Sequence, residues 1–209
     1  MREPERALLA FRRAIGLTGG IASGKTLVAT ILGQYGVPVV DADRVGRDLL
    51  AKNSALRQTI VRLFGREILD REDQIDREAL GRIVFRNAGR RKELEAILHE
   101  PIVREMGRRA GRLDTPVVLD VPLLVETGLH TKVDVVIVVY ATRDQQLDRV
   151  RRRNGLSPED ALRRIESQMP LEKKVACAHY LINNCGTEAD TKDQVRRLYQ
   201  KLWRERETS

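Results

Sequence analysis

Eight residues near the start of the chain, Gly19-Gly20-Ile21-Ala22-Ser23-Gly24-Lys25-Thr26, constrain its fold more than any other feature. They match the pattern G-x-x-x-x-G-K-[ST]. An apolar segment, Ala14 to Thr18, precedes them. After them Leu27, Val28, Ile31, Leu32 and Tyr35 fall on one helical face, and Gly36 supplies a stop. A strand, a glycine-rich loop and a helix in that order aim successive backbone amides at a phosphate. The positive end of the helix dipole meets the same anion. Residues Gly20, Ile21, Ala22, Ser23 and Gly24 are therefore expected to cradle a triphosphate. Lys25 is expected to reach its β- and γ-phosphates, and Thr26 to offer a hydroxyl to Mg²⁺. The expected ligands are ATP and Mg²⁺, and the expected chemistry is phosphoryl transfer.

The rest of the chain supplies the sheet such a loop needs. Apolar segments at Val37 to Val40, Val117 to Val121 and Val133 to Tyr140 read as buried parallel strands, with a shorter one at Tyr180 to Ile182. Helix-length amphipathic stretches separate them, and Val195, Leu198, Tyr199 and Leu202 repeat the helical spacing near the end. The fold class is α/β: a P-loop NTPase-type parallel sheet flanked by helices. Two regions break the alternation. Residues 44–115 carry only helical signals and read as an inserted helical subdomain. Residues 143–178 read as a second, arginine-rich helical insertion, either a solvated helix face or a lid that closes over the triphosphate, with Ser157 as N-cap and Pro158 at the first position of one of its helices. A single domain is thus expected over 14–209, with its core in 14–43, 116–142 and 179–209. Residues 1–13 mix charges with Leu8, Leu9 and Phe11 and read as a short N-terminal extension rather than a signal peptide.

Composition narrows the partners. A hydrophobic content of 42% with 33% charged residues fits a soluble globular chain that buries an aliphatic core, since aromatics are only 4%. The net charge of +8 calls for anionic partners without choosing among them. The arginine cluster Arg143, Arg149, Arg151, Arg152, Arg153, Arg163 and Arg164 has no interleaved aromatic for base stacking, so no nucleic-acid partner is expected. No apolar run approaches bilayer length, and no membrane partner is expected. Cys177 and Cys185 have neither metal nor redox spacing and read as reduced thiols. The expected setting is cytoplasmic, as a monomer or weak homo-oligomer.

Several acids fall at expected strand ends. Asp41 and Asp43 follow the second strand, where open α/β sheets bind ligands. A carboxylate there accepts a proton from an attacking hydroxyl, helps order a metal, or simply caps a helix. Val117-Val118-Leu119-Asp120 reads as a strand ending in a Mg²⁺-ordering acid. Pro122, Leu123, Leu124 and Glu126 form a mixed apolar and acidic loop at the same edge. Arg149 and Arg153 lie four apart, so both could point inward from one helix face. His99, among Ile97, Leu98 and Pro101, reads from pattern alone as structural.

Taken together, these pieces resemble the dephospho-coenzyme A kinases. The resemblance runs from about Ile15 to the last helix. It rests on Ile15 to Ile21, Ser23-Gly24-Lys25, Asp41-Ala42-Asp43, Leu119-Asp120-Val121-Pro122-Leu123-Leu124, Glu126-Thr127-Gly128-Leu129, Arg153, Gly155-Leu156-Ser157 and Gln168-Met169-Pro170. It implies transfer of phosphate from ATP to the ribose 3′-hydroxyl of dephospho-CoA, the last step of CoA synthesis, with ATP and dephospho-CoA as small-molecule partners. It also implies that the helical insertion at 44–115 binds the substrate and that 143–178 is a mobile lid, with Asp43 as general base, Lys25 and Arg153 as catalytic cations, and Thr26 and Asp120 as metal ligands. His99, Arg104, Pro122, Leu123, Leu124 and Glu126 would bind the acceptor, and Asn184 would lie beside the nucleotide. Without the resemblance, another P-loop nucleoside or nucleotide kinase fits the same core. The sequence departs from the family pattern at four points. Ala22 replaces a usual Gly and needs a loop conformation that alanine tolerates. Leu27 replaces a usual Thr and keeps only its backbone amide for the nucleotide. Glu100 adds one position after His99, and Asn183 replaces the Asp before Asn184.

Overall fold

The computed structural model describes residues 14–204; the extension at residues 1–13 lies outside them. In chain order the elements are β1 (Ala14–Gly19), α1 (Lys25–Gln34), β2 (Val39–Asp41), α2 (Ala42–Lys52), α3 (Ser54–Phe64), a 3-10 turn (Arg66–Ile68), α4 (Arg77–Arg86) and α5 (Ala88–Ala110). There follow β3 (Val117–Asp120), a 3-10 turn (Leu129–Lys132), β4 (Val135–Tyr140), α6 (Arg143–Asn154), α7 (Pro158–Glu166), α8 (Leu171–Val175), β5 (Tyr180–Asn183), α9 (Glu188–Tyr199) and a π turn (Gln200–Arg204). They make two compact units, one of residues up to Asp41 and from Arg109 onward, the other Ala42–Arg108.

The first unit is built on a five-stranded sheet in the order β2-β3-β1-β4-β5. Every pairing is parallel, as the β-branched runs predict. Alternation along the strands sends Ile15 and Leu17 of β1, and Val135, Ile137 and Val139 of β4, to one face. There they pack on Val28, Ile31 and Leu32 of α1 and on Val195, Leu198, Leu202 and Trp203 at the C-terminal end. Each such side chain contributes about 1.5–3 kcal/mol on leaving water. Tyr35, Tyr199 and Trp203 stack in a row at the edge of this cluster, with ring centroids 4.7 and 5.8 Å apart. On the other face Gly16 makes room for Leu124, which would lie 2.6 Å from a Cβ at that position.

Strand ends follow hydrogen-bond supply. β2 begins at Val39, two residues later than its apolar run, because the Val37 amide is spent on Leu32 O and Pro38 has no amide. β4 begins at Val135 because Val133 closes the preceding turn. Gly36, with φ +82°, ends α1 as expected.

The second unit is helical, with a core of Leu56, Ile60, Phe64, Ile68 and Leu80 against which Ile97 and Leu98 pack. Asn53 caps α3 by accepting from the Leu56 amide, and Asp76 caps α4 by accepting from the Glu78 and Ala79 amides. Its boundaries differ from the expected 44–115. Ala42 enters α2 directly from Asp41, with no loop residue between strand and helix. At the other end the division falls inside α5, and residues 109–115 belong with the sheet unit. The segment 143–178 also differs from expectation at its end. Lys174 and Leu171 of α8 are buried, and α8 packs against β1 and β4, so this helix is part of the sheet unit's interior.

Candidate active site

All five strands point the same way, so their carboxyl ends deliver five loops to one edge of the sheet. β1 delivers the glycine-rich loop. Within it the Ser23 amide donates to Gly20 O at 3.1 Å, closing a tight turn. Two glycines are required by close approach. A Cβ at Gly19 would lie 2.4 Å from Ser23 Oγ and 2.8 Å from Val139 O. A Cβ at Gly24, whose φ is +100°, would lie 1.9 Å from Asn184 Nδ2. Ala22 adopts φ +56°, the left-handed conformation that its position demands. Gly24 then opens α1 with no side-chain cap, so the positive end of the helix dipole has no carboxylate of its own. Thr26 is exposed in the first turn of α1. The Leu27 amide donates to Gly24 O at 3.0 Å, while its side chain packs against the core. That amide, expected to serve the nucleotide, is thus engaged in the first turn.

β3 delivers Asp120. In register it stands beside Asp41 at the end of β2 and beside Leu17 of β1. Its carboxylate forms an ion pair with Lys25, the two side chains being 7% and 17% exposed. The lysine expected at the phosphates and the acid expected at the metal are therefore neighbours. Beyond Asp120, the Val121 amide donates to Leu17 O at 2.9 Å and Thr18 Oγ1 donates to Pro122 O at 3.0 Å. These bonds tie the loop from Pro122 to Glu126 alongside the glycine-rich loop.

β5 and α9 deliver Asn184, which is 6% exposed. Its Nδ2 donates to Ser23 O at 2.8 Å and its Oδ1 accepts from Thr191 Oγ1 at 2.8 Å. The residue placed beside the nucleotide by resemblance thus braces the loop from behind. Arg149 of α6 braces it from another side, donating to Ala22 O (3.2 Å), Ser23 O (3.5 Å) and Asn184 O (2.9 Å). Arg153, which the four-residue spacing allowed to point inward as well, does not join it. It lies in the last turn of α6, exposed, with Nε donating to Asn154 Oδ1 at 3.3 Å.

Lys174 escaped the sequence reading. It is fully buried, and its ammonium donates to Pro122 O (2.7 Å), Glu126 Oε1 (2.9 Å) and Gly19 O (3.4 Å). Burial pushes its pKa below the ordinary lysine value; the Glu126 carboxylate opposes that shift and the nearby Lys25 charge adds to it. The available signal was spacing, since Lys174 is three residues from Leu171 on the face that packs inward. Gln146 is a second omission, buried with its Nε2 2.9 Å from where a Gly20 Cβ would sit. A cavity of about 310 Å³ opens beside Gly20 and Ile21, lined also by Ala141, Gln146, Met169 and Leu171.

The remaining expected residues belong to the helical unit. Asp43 is exposed in the first turn of α2, where a carboxylate suits the helix dipole. His99 and Arg104 are exposed on α5, and Arg104 pairs with Glu100 one turn back. Five residues apart, His99 and Arg104 project in directions about 140° from each other.

For a hard cation, the oxygens at the sheet edge are of the right kind: the Thr26 hydroxyl and the Asp120 carboxylate. Among the described residues no group of three or more His, Cys, Asp and Glu side chains forms a metal cage. Two protein oxygens suit Mg²⁺ completed by phosphate oxygens and water. No helix of the described residues is long and apolar enough to cross a membrane.

Comparison with known proteins agrees with this geometry. The profile of the dephospho-CoA kinase family matches residues 13–190. The dephospho-CoA kinase of Carboxydothermus hydrogenoformans is 42% identical over 191 residues, covering 90% of this chain and 93% of its own. That of Geobacter metallireducens is 44% identical over 196 residues, covering 92% and 96%. The solved dephospho-CoA kinase from Campylobacter jejuni superposes with a TM-score of 0.69 at 28% identity, over 93% of this chain and 98% of its own. With its glycine-rich loop, strand-end acid and sheet order all in place, the chain belongs to the dephospho-CoA kinase family.

Proposed function

We propose that this chain transfers the γ-phosphate of ATP to the ribose 3′-hydroxyl of dephospho-CoA, the final step of CoA synthesis. The carrying observation is the glycine-rich loop, held by Asn184 and Arg149 with Lys25 paired to Asp120 at its end. Family membership selects dephospho-CoA over the other nucleoside and nucleotide acceptors that the loop alone leaves open.

In this reading the loop amides and the start of α1 receive the phosphates. Lys25 exchanges its Asp120 partner for the β- and γ-phosphate oxygens, following the charge as it moves. Thr26 and Asp120 would hold Mg²⁺, which would neutralise phosphate charge when bound. Asp43 accepts the proton of the 3′-hydroxyl as that oxygen attacks phosphorus and the bond to the ADP oxygen breaks. Arg153 adds positive charge to the transferring group, and Pro122, Leu123, His99 and Arg104 contact the acceptor; Leu124, fully buried against Gly16, and Glu126, paired with Lys174, shape the same loop from beneath. The protein works in the cytoplasm as a monomer or weak homo-oligomer.

Steady-state turnover with ATP, Mg²⁺ and dephospho-CoA tests the reaction, and no turnover overturns it. Asp43→Asn tests the base. It should keep ATP affinity while kcat falls by ~10²-fold or more; near-normal kcat in this variant removes Asp43 from that role.

A further inference from the structure

Lys174 stands out among the groups the phosphoryl-transfer chemistry leaves unused. Its side chain has no exposure to solvent, and all three of its N–H donors are used on the sheet's carboxyl edge. The acceptors come from two loops. Gly19 O closes β1 and opens the glycine-rich loop, while Pro122 O and Glu126 Oε1 belong to the loop that follows Asp120.

A buried ammonium is expensive to desolvate, and an apolar side chain of similar volume would fill the same space at lower cost. What an apolar residue cannot do is fix two carbonyls and a carboxylate at once. Those acceptors bracket the Lys25–Asp120 pair: Gly19 is six residues before Lys25, and Pro122 is two after Asp120. Thr18 Oγ1 shares Pro122 O with Lys174, so the two loops are stitched at one oxygen from both sides. The backbone at Gly19 runs so close to its surroundings that a Cβ there would collide with Ser23 Oγ and Val139 O, so only glycine fits at this end of β1. Glu126 Oε1 also accepts from the Met169 amide at 3.3 Å, which extends the network to the segment leading into α8.

We infer that Lys174 is a positioning residue for phosphoryl transfer, holding the glycine-rich loop and the loop after β3 in the one alignment that sets Lys25 against Asp120. Lys174 touches neither nucleotide nor acceptor in this role. It acts through the carbonyls of Gly19 and Pro122. The inference rests on the kinase reading above for its activity readout, and on nucleotide affinity independently of it.

Lys174→Met keeps the volume and removes the donors. Lys174→Gln keeps two donors without the charge, and serves if the methionine variant fails to fold. For wild type and each variant, the thermal midpoint, the ATP dissociation constant by calorimetry, and kcat and KM for both substrates would be measured well below the midpoint. The expected result is a folded Lys174→Met protein with kcat lowered by about 10²-fold, the scale of a misplaced catalytic group, and weaker ATP binding. Lys174→Gln should recover part of both. The inference is overturned if Lys174→Met binds and turns over ATP like wild type. It is also overturned if lost activity only tracks the unfolded fraction, which would make the pair with Glu126 purely structural. Wild type that binds ATP but does not turn over dephospho-CoA would sink the kinase reading instead, leaving the affinity comparison to judge Lys174.

Discussion

The carboxamide of Asn184 occupies the space that a Cβ on Gly24 would need, with Nδ2 only 1.9 Å from that point. The same nitrogen donates to Ser23 O, and Thr191 Oγ1 holds the other end of the amide. A residue from the β5–α9 connection thereby fixes the loop's last glycine, whose left-handed φ of +100° also disfavours any side chain.

Gly24→Ala is therefore opposed twice. The backbone conformation costs an alanine about 1–2 kcal/mol. Displacing the buried amide of Asn184 adds about 1–3 kcal/mol as overpacking. The expected outcome is a lower thermal midpoint together with ATP affinity reduced by more than about tenfold, since about 1.4 kcal/mol is one decade. Calorimetric titration of ATP and a melting curve check both, and wild-type values in both would show that the loop relaxes freely at this point.

Ala22 presents the opposite case, a side chain already in the left-handed region at φ +56°. Ala22→Gly removes about 1–2 kcal/mol of that handedness cost. It also restores about 0.4–1 kcal/mol of freedom to the unfolded chain, which works against it. The balance is a thermal stability between unchanged and slightly raised, with ATP affinity at least as high as wild type. A clear fall in the midpoint would mean that Ala22 contributes packing that outweighs its conformation.

The glycine-rich loop and the strands were legible because each is written in local terms: fixed glycine spacing before a Lys-Thr pair, and apolar runs of strand length. Asp120 was legible for the same reason, as the acid that ends such a run. Lys174 was not, because its spacing from Leu171 hints at an inward face but the carbonyls that make burial of its charge tolerable come from distant segments. The start of the helical unit was misplaced by two residues because Asp41 and Ala42 adjoin without a turn, and composition does not change there. Asn184 was legible only through resemblance. Its role as the wedge behind Gly24 depends on a contact across 160 positions of sequence, which no local pattern encodes.

Arg149 and Arg153 sit four residues apart on α6, yet their surroundings separate them. Arg149 is partly buried and spans the Ala22, Ser23 and Asn184 carbonyls, so truncating it leaves three acceptors without their cation. Hydrogen bonds to a charged group are worth about 1.5–3 kcal/mol, and the loop they support is the proposed ATP site. Arg149→Ala should lower the thermal midpoint and weaken ATP binding by about tenfold or more, on the scale of one such bond. Arg153 is exposed, so Arg153→Ala should change stability by no more than about 0.5 kcal/mol. If Arg153 supplies charge to the transferring phosphate, its loss should appear in kcat at saturating ATP and dephospho-CoA while ATP affinity holds. Melting curves, ATP titrations and steady-state kinetics on the two variants separate the roles. An unchanged kcat in Arg153→Ala would leave Arg149, the residue that touches the loop, as the arginine of α6 that matters to the site.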